Sequence, residues 1–540
     1  MKIRRIATSL LIGLVASSAL SAAPARGAVP LNPPVTDVNG KVLPAPPGPL
    51  AESIHAEMLA EAPKAPVFQV GGPPSVQLAQ PKMRAASVDG SVSLTSIGPA
   101  GALPNNLRKE VLGFLPYWML DADTLSQVRY DLLSTVAYFG IAARADGSLT
   151  KSGSTWTGWT SSALTGVINA AHARGVRAVP TITFMAWDGN YAPMTTLLTH
   201  PSYRTRLVGE IAGLVKARGA DGVNIDFEPV PSSLRPYFTA FVRELKAGMV
   251  SAGARSYLTV DTMAGAASWA TGYDVTALTA PGAADALMVM AYDFSWSGSA
   301  RAGGVALFDS KYVFDATDAL AAYVLVAPRS KLIWGVPYYG RTWPAATSTL
   351  NSITCRGVTP DPCPKSKIDA PGSSYAYEYT GAKKQAAAHG RLWDALGAVP
   401  WYRWYDSVNT TWVQGYYDDP TSLQVKYDMV NNAALAGVGI WALGMDAGTS
   451  DLWNVIARRL QGQLYGLPGW PAYARASLAA AQDYAYRILK ARYPIGWRTG
   501  PPRWGRSTWP NDYRTASYTA AAGYSLRIVL AEARAAGIIV

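Results

Sequence analysis

The chain has 540 residues, 49% of them hydrophobic and 16% charged, with 18 Trp and 29 Tyr, enough for a sizeable core and one large domain of about 250 residues with appendages. Its formal charge is +12, but without the dense Lys/Arg blocks of nucleic-acid binders, so nucleic acid is disfavoured and an anionic polymer such as a cell wall is favoured. The four histidines, His55, His172, His200 and His389, are scattered without metal-site spacing, and nothing asks for a metal, a cofactor or a serine-histidine triad.

Residues 1–28 combine a basic start, an apolar core from Ile6 to Leu20 and small residues suited to cleavage after Ala23 or Ala28, the pattern of a secretory signal peptide. Their removal takes Lys2, Arg4, Arg5 and Arg26 and no acid, lowering the formal charge from +12 to +8. No later run reaches the roughly 18 apolar residues of a membrane span, so the mature protein is expected to be secreted, extracellular or in the cell wall, and monomeric. Residues 29–106, rich in Pro, Ala, Gly and Ser, read as a linker with a short helical stretch near Glu52 to Glu61.

From Val111 onward, apolar runs alternate with amphipathic helical segments, the rhythm of βα units in a parallel sheet. The runs are Val111 to Trp118, Ser134 to Ile141, Arg177 to Phe184, Gly222 to Glu228, Tyr257 to Met263, Ala286 to Asp293, Leu332 to Tyr339 and Gly437 to Leu443. Eight runs predict an α/β fold, a (β/α)8 TIM barrel over residues 107–463. The roughly 90 residues before the eighth run are too many for a plain loop. Residues 341–419 are therefore expected to be an inserted α+β subdomain beside the barrel mouth. Its strands are predicted at Ser374 to Tyr379, Trp401 to Tyr405 and Thr411 to Tyr416, with a helix from Ser422 to Ala436 returning to the barrel. Within it Cys355 and Cys363 enclose a turn-rich segment, and a local disulfide is expected in an exported protein. The last barrel helix is expected around Asp451 to Gln463. In residues 464–540, Ser477, Ala480, Ala481, Tyr484, Arg487 and Ile488 recur 40 residues on as Ser517, Ala520, Ala521, Tyr524, Arg527 and Ile528. This duplicated helical tail is open to two roles, cell-wall docking or packing against the barrel.

The fourth run carries the chemistry. Side chains alternate along a strand, so Asn224, Asp226 and Glu228 share one face while Val223, Ile225 and Phe227 take the other. A buried strand is normally apolar on both faces, because an unpaired buried carboxylate costs several kcal/mol. Three polar groups at its carboxyl end therefore point to an acid/base site, where barrel enzymes build their active centres. Tyr117, Trp118, Trp187, Trp269, Tyr292, Trp296, Tyr338, Tyr339, Trp343 and Trp441 fall at the same ends of other strands. Such a ring of aromatics suits pyranose faces, though any one of them alone is more often core.

Asp221-Gly-Val-Asn-Ile-Asp-Phe-Glu228 resembles the acidic signature of the family 18 glycoside hydrolases, the chitinase-like enzymes. Met290-Ala-Tyr-Asp293 resembles the family's Met-x-Tyr-Asp motif, and Trp441 its barrel-floor tryptophan. The wording of the acid strand, with Tyr416-Tyr-Asp-Asp419-Pro-x-Ser422, is most similar to bacterial spore and cell-wall N-acetylglucosaminidases.

The resemblance implies a secreted retaining enzyme that cleaves β-1,4 bonds of chitin, chito-oligosaccharides or peptidoglycan by substrate assistance. Glu228 would be general acid and then base, Asp226 would hold the acetamido nitrogen, and Asn224 would fix Asp226 by a hydrogen bond. Tyr292 would steady the acetamido oxygen and Asp293 bind a sugar hydroxyl. Trp441, Met290, Tyr117, Trp118, Trp187, Trp296 and Tyr339 would line the sugar site, and Asp221 would order the start of the strand. Asn224 departs from the family's all-Asp form and removes one proton acceptor. The residues themselves agree with substrate assistance. Asp226 and Glu228, about 7 Å apart on one strand face, are badly placed to flank a sugar ring as an acid and a protein nucleophile must. The alternative reading is a non-catalytic lectin on the same barrel.

Overall fold

The computed structural model describes residues 103–355, 360–363 and 374–461. The expected signal peptide and duplicated tail lie outside these residues, as does the expected linker up to residue 102, while its last residues, Pro104–Asn106, form a short 3-10 helix. Seven strands follow one another: β1 (Glu110–Pro116), β2 (Thr135–Ala142), β3 (Arg177–Met185), β4 (Gly222–Glu228), β5 (Tyr257–Met263), β6 (Ala286–Met290) and β7 (Leu332–Pro337). The chain then makes β8 (Tyr339–Ala345), β9 (Tyr375–Glu378), β10 (Leu392–Asp394), β11 (Val399–Asp406) and β12 (Thr411–Tyr416), and comes back as β13 (Gly437–Trp441). β1 to β7 and β13 close into a parallel eight-stranded barrel, with β13 between β1 and β7.

Four predicted runs overshoot their strands, the first by Tyr117 and Trp118 and the eighth by Ala442 and Leu443. β6 stops at Met290, so Tyr292 and Asp293 stand on the turn beyond it, where Asp293 takes a positive φ of 55°. β7 stops at Pro337, and Tyr339 already pairs with Glu378 in the second sheet. An unbroken apolar run carries no mark of where the chain leaves one sheet for another.

The outward face of β4 shows why its polar row turns inward. Phe227 stacks on Phe241, with ring centroids 5.5 Å apart, and lies 5.8 Å from Phe238, both on the helix Arg235–Ser251. Covering Val223, Ile225 and Phe227 with a helix removes them from water and leaves Asn224, Asp226 and Glu228 to the barrel interior. The preceding helix, Pro201–Arg218, ends on Gly219 with φ 61°, a left-handed residue that turns the chain into β4. At the opposite end of the strand Asp221 accepts a hydrogen bond from the Ala178 amide at 2.8 Å, lies 2.8 Å from His172 Nε2 and pairs with Arg255. Glu110 plays a similar part at the foot of β1, accepting from Arg177 and from the Tyr257 hydroxyl, each at 3.0 Å.

The insertion is an antiparallel five-stranded sheet in the order β10-β11-β12-β8-β9, with the helix Tyr379–His389. It therefore begins at Tyr339, slightly before the expected 341, and contains two strands, β8 and β10, that the sequence reading did not assign. Trp343, Val399, Trp401 and Tyr416 form a small core of their own with Ala302 and Leu307 from the segment after β6. Cys355 and Cys363 form a disulfide. The return helix is Pro420–Asn432, capped by Asp419, and the final helix is Ser450–Leu460. Among the described residues no helix is long and apolar enough to cross a membrane.

Candidate active site

Glu228, 2% exposed, closes β4, with Asp226 and Asn224 fully buried below it. Asp226 is the ladder partner of Thr183 on β3, and Asn224 that of Thr181. The hydrogen bonds of Asn224 run sideways, not along its own strand as expected. Its amide nitrogen donates to Asp261 on β5 at 2.7 Å and to Thr181 at 3.4 Å, and its oxygen accepts from Thr259 at 2.6 Å. The expected partner, Asp226, is two residues further up the strand, whereas β5 lies alongside, with Thr259 paired directly to Asn224.

Asp261 is the residue that the sequence reading missed. The Tyr323 hydroxyl, from the helix Ala316–Val326, donates to Thr262 at 2.8 Å, so Thr262 faces outward and Asp261 inward. Asp261 is 2% exposed, and burial pushes its carboxyl well above the usual range, with the Asp226 charge adding to the effect and the Asn224 hydrogen bond opposing it. Its signal was a lone acid in Tyr257-Leu-Thr-Val-Asp-Thr-Met263, a pattern too brief to separate from a strand end.

Burial likewise pushes Glu228 up to about 8, opposed by a hydrogen bond shared with Asp226 and reinforced by the charges of Asp261 and Asp293. A carboxyl pair that shares a hydrogen bond titrates as a unit, and with Glu228 raised to about 8 by burial this pair keeps a proton at neutral pH. Tyr292 is 6% exposed. Its hydroxyl is raised well above its ordinary value by burial and then by Asp261, Glu228, Asp226 and Asp293, which places it within electrostatic reach of all four acids. The Tyr339 hydroxyl donates to Asp293 at 2.5 Å, and the Tyr339 ring meets Tyr292 edge-on at 6.4 Å. Tyr273 supports the strand from behind, donating to the Phe227 carbonyl at 2.7 Å.

The aromatic residues divide into two groups. Trp441 is fully covered, edge-on to Phe139 at 4.8 Å and tilted on Phe114 at 5.5 Å. Trp118 stands 6.4 Å from Phe139 and 4.9 Å from Tyr117, so this chain of rings runs from the end of β13 across β2 to the turn after β1. Phe139, second in this chain, was not singled out in the sequence because it lies in mid-run. Trp187 and Met290 are nearly buried, and Tyr339 is wholly so. Trp187 follows Ala186, whose amide donates to the Glu228 carbonyl at 2.7 Å. Trp118 and Trp296 keep partly open rings, and Trp296 is held toward the insertion by Trp343 Nε1, which donates to its carbonyl at 2.9 Å.

The arrangement is a buried acid with an elevated pKa, a second carboxyl sharing its proton, a tyrosine hydroxyl beside them and a wall of rings. It can protonate a leaving oxygen above a flat-faced substrate. Residues 167–446, more than half of the chain, match the family described as Glycosyl hydrolases family 18. The chain is 26% identical over 318 residues to the di-N-acetylchitobiase of Rattus norvegicus, an alignment covering 54% of this chain and 78% of the relative. It is 27% identical over 289 residues to a Bacillus subtilis protein named as a sporulation-specific glycosylase, covering 51% of this chain and 60% of that one. In fold it resembles the family 18 chitinase of Cycas revoluta solved with (GlcNAc)3, with a TM-score of 0.53 and 20% identity over 64% of this chain and 98% of that one. The acid strand, the closed barrel and the family match agree, and the chain belongs to the family 18 glycoside hydrolases, as a chitinase-like glycosidase acting on N-acetylglucosamine polymers.

Proposed function

We propose that this glycosidase is exported, acts as a monomer and opens N-acetylglucosamine-containing strands of the cell wall with retention of configuration. The observation that carries the reading is Glu228, buried at the end of β4 with its pKa near 8 and its proton shared with Asp226. In this reading Glu228 protonates the glycosidic oxygen while the substrate's own 2-acetamido oxygen attacks the anomeric carbon. Asp226 steadies the acetamido nitrogen as positive charge develops, and Glu228 then takes a proton from the water that opens the oxazolinium ion. Both carboxyls project from one strand face, an arrangement that favours substrate assistance over a protein nucleophile on the far side of the ring. Tyr292 steadies the acetamido oxygen, and Asp293, held by Tyr339, takes a sugar hydroxyl. Trp441 floors the subsite, with Trp118 and Trp296 flanking the entrance.

A cell-wall glycan is favoured by the basic balance of the chain, by the Tyr416-Tyr-Asp-Asp419 wording and by the kinship with the B. subtilis glycosylase. The test is release of reducing ends from purified peptidoglycan and from chitin oligomers, side by side, for wild type and Glu228→Gln. Peptidoglycan cleavage lost in the variant supports the wall substrate and the acid role of Glu228, and cleavage of chitin oligomers alone moves the substrate to chitin. Glycan binding by both proteins with no cleavage by either would leave a lectin.

A further inference from the structure

A strand bearing Asn224 in place of a third acid is one carboxyl short of the all-acid form, yet the acid centre is not. Asp261 reaches it from β5. Its Oδ2 accepts from Asn224 Nδ2 at 2.7 Å, and the other side of the same amide is fixed by the Thr259 hydroxyl at 2.6 Å. Asn224 thus has one orientation, amide nitrogen toward Asp261. Among the described residues Asp261 Oδ1 is buried and has no hydrogen-bond partner, whereas a merely structural acid is normally satisfied at both oxygens.

We infer that Asp261 is a positioning residue of the acid centre, supplying from β5, across the Asn224 amide, the carboxyl that position 224 lacks. The inference rests on the proposed role of Glu228. The titratable groups facing this carboxyl are Asp226 and Glu228 on β4 and Tyr292 beyond β6. Behind β5, Tyr323 is engaged with Thr262. Asp226 raises the Asp261 carboxyl, and Asp261 in turn raises Glu228. Neutralising position 261 therefore lowers the pKa of Glu228, and the basic limb of the pH–rate profile moves to lower pH.

The experiment compares Glu228→Gln, Asp261→Asn and the swap Asn224→Asp with Asp261→Asn, which exchanges amide and carboxyl across one hydrogen bond. Reducing-end release from peptidoglycan and chitin oligomers is followed from pH 4 to 10, with thermal unfolding alongside. The ionisation of Glu228 is followed by carboxyl carbon NMR in the substrate-free protein. Asp261→Asn is expected to lower kcat about tenfold or more with little change in KM, and to move both the basic limb and the NMR midpoint down by about one pH unit. The swap is expected to bring both back toward wild type. Wild-type profiles in Asp261→Asn, or a folded swap no better than the single variant, overturn the inference. If Asp261→Asn does not fold, the swap decides by itself, since a displaced limb there is also fatal. Full activity in Glu228→Gln instead sinks the underlying reading of the acid, whereas an inactive Glu228→Gln beside an unaltered Asp261→Asn removes only this role of Asp261.

Discussion

Glu228 combines two demands that a single side chain rarely meets, full burial and a titration near neutrality. Its pKa of about 8 against an ordinary 4.5 means that the folded chain keeps a proton the unfolded chain releases. The stability contribution is therefore fully present below about pH 4.5 and is lost as pH rises through about 8, by at most about 5 kcal/mol. Thermal midpoints measured from pH 5 to 8 are expected to fall in wild type and to fall less in Glu228→Gln, which has nothing to ionise; parallel curves would refute this. The same variant is expected to lose about 10²- to 10⁴-fold in kcat/KM, the usual worth of a positioned general acid. The acids of β4 were legible because strand alternation sorts three polar residues onto one face. The partner of Asn224 was not, because a hydrogen bond to β5 depends on which strand lies alongside and at what register.

At the scale of elements, the return from the insertion to the barrel hangs on a buried ion pair. Asp418, just after β12, pairs with Lys426 in the helix Pro420–Asn432, and each side chain is 1% exposed. Asp419 caps the same helix, accepting from the amides of Thr421 and Ser422. The cap could be read from Asp-Pro-x-Ser alone, since it is local. The ion pair spans eight residues and follows only from the way the helix packs against the strand end. Lys426→Met leaves a buried carboxylate without its cation and is expected to cost about 3–5 kcal/mol in chemical denaturation. Replacing Asp418 and Lys426 together by apolar residues is expected to recover most of that loss, and a double variant as unstable as the single one would contradict this account.

For the molecule as a whole, charge and topology set how a polymer is met. With the expected signal removed, the formal charge of +8 favours an anionic wall polymer over neutral chitin oligomers. Raising NaCl from 50 to 500 mM is expected to raise KM on peptidoglycan severalfold and to leave KM on chitin oligomers nearly unchanged; equal responses would remove electrostatics from recognition. The number of barrel strands, the acid row and the existence of an insertion were all determined by the sequence, because alternation, burial and run length are properties of neighbours along the chain. Tertiary structure alone decided where Tyr339 leaves the barrel, that Phe139 lies against Trp441, and that Asp261 joins the acids of β4. Those contacts join residues tens to hundreds of positions apart, and closing the barrel with β13 between β1 and β7 is what fixes their register.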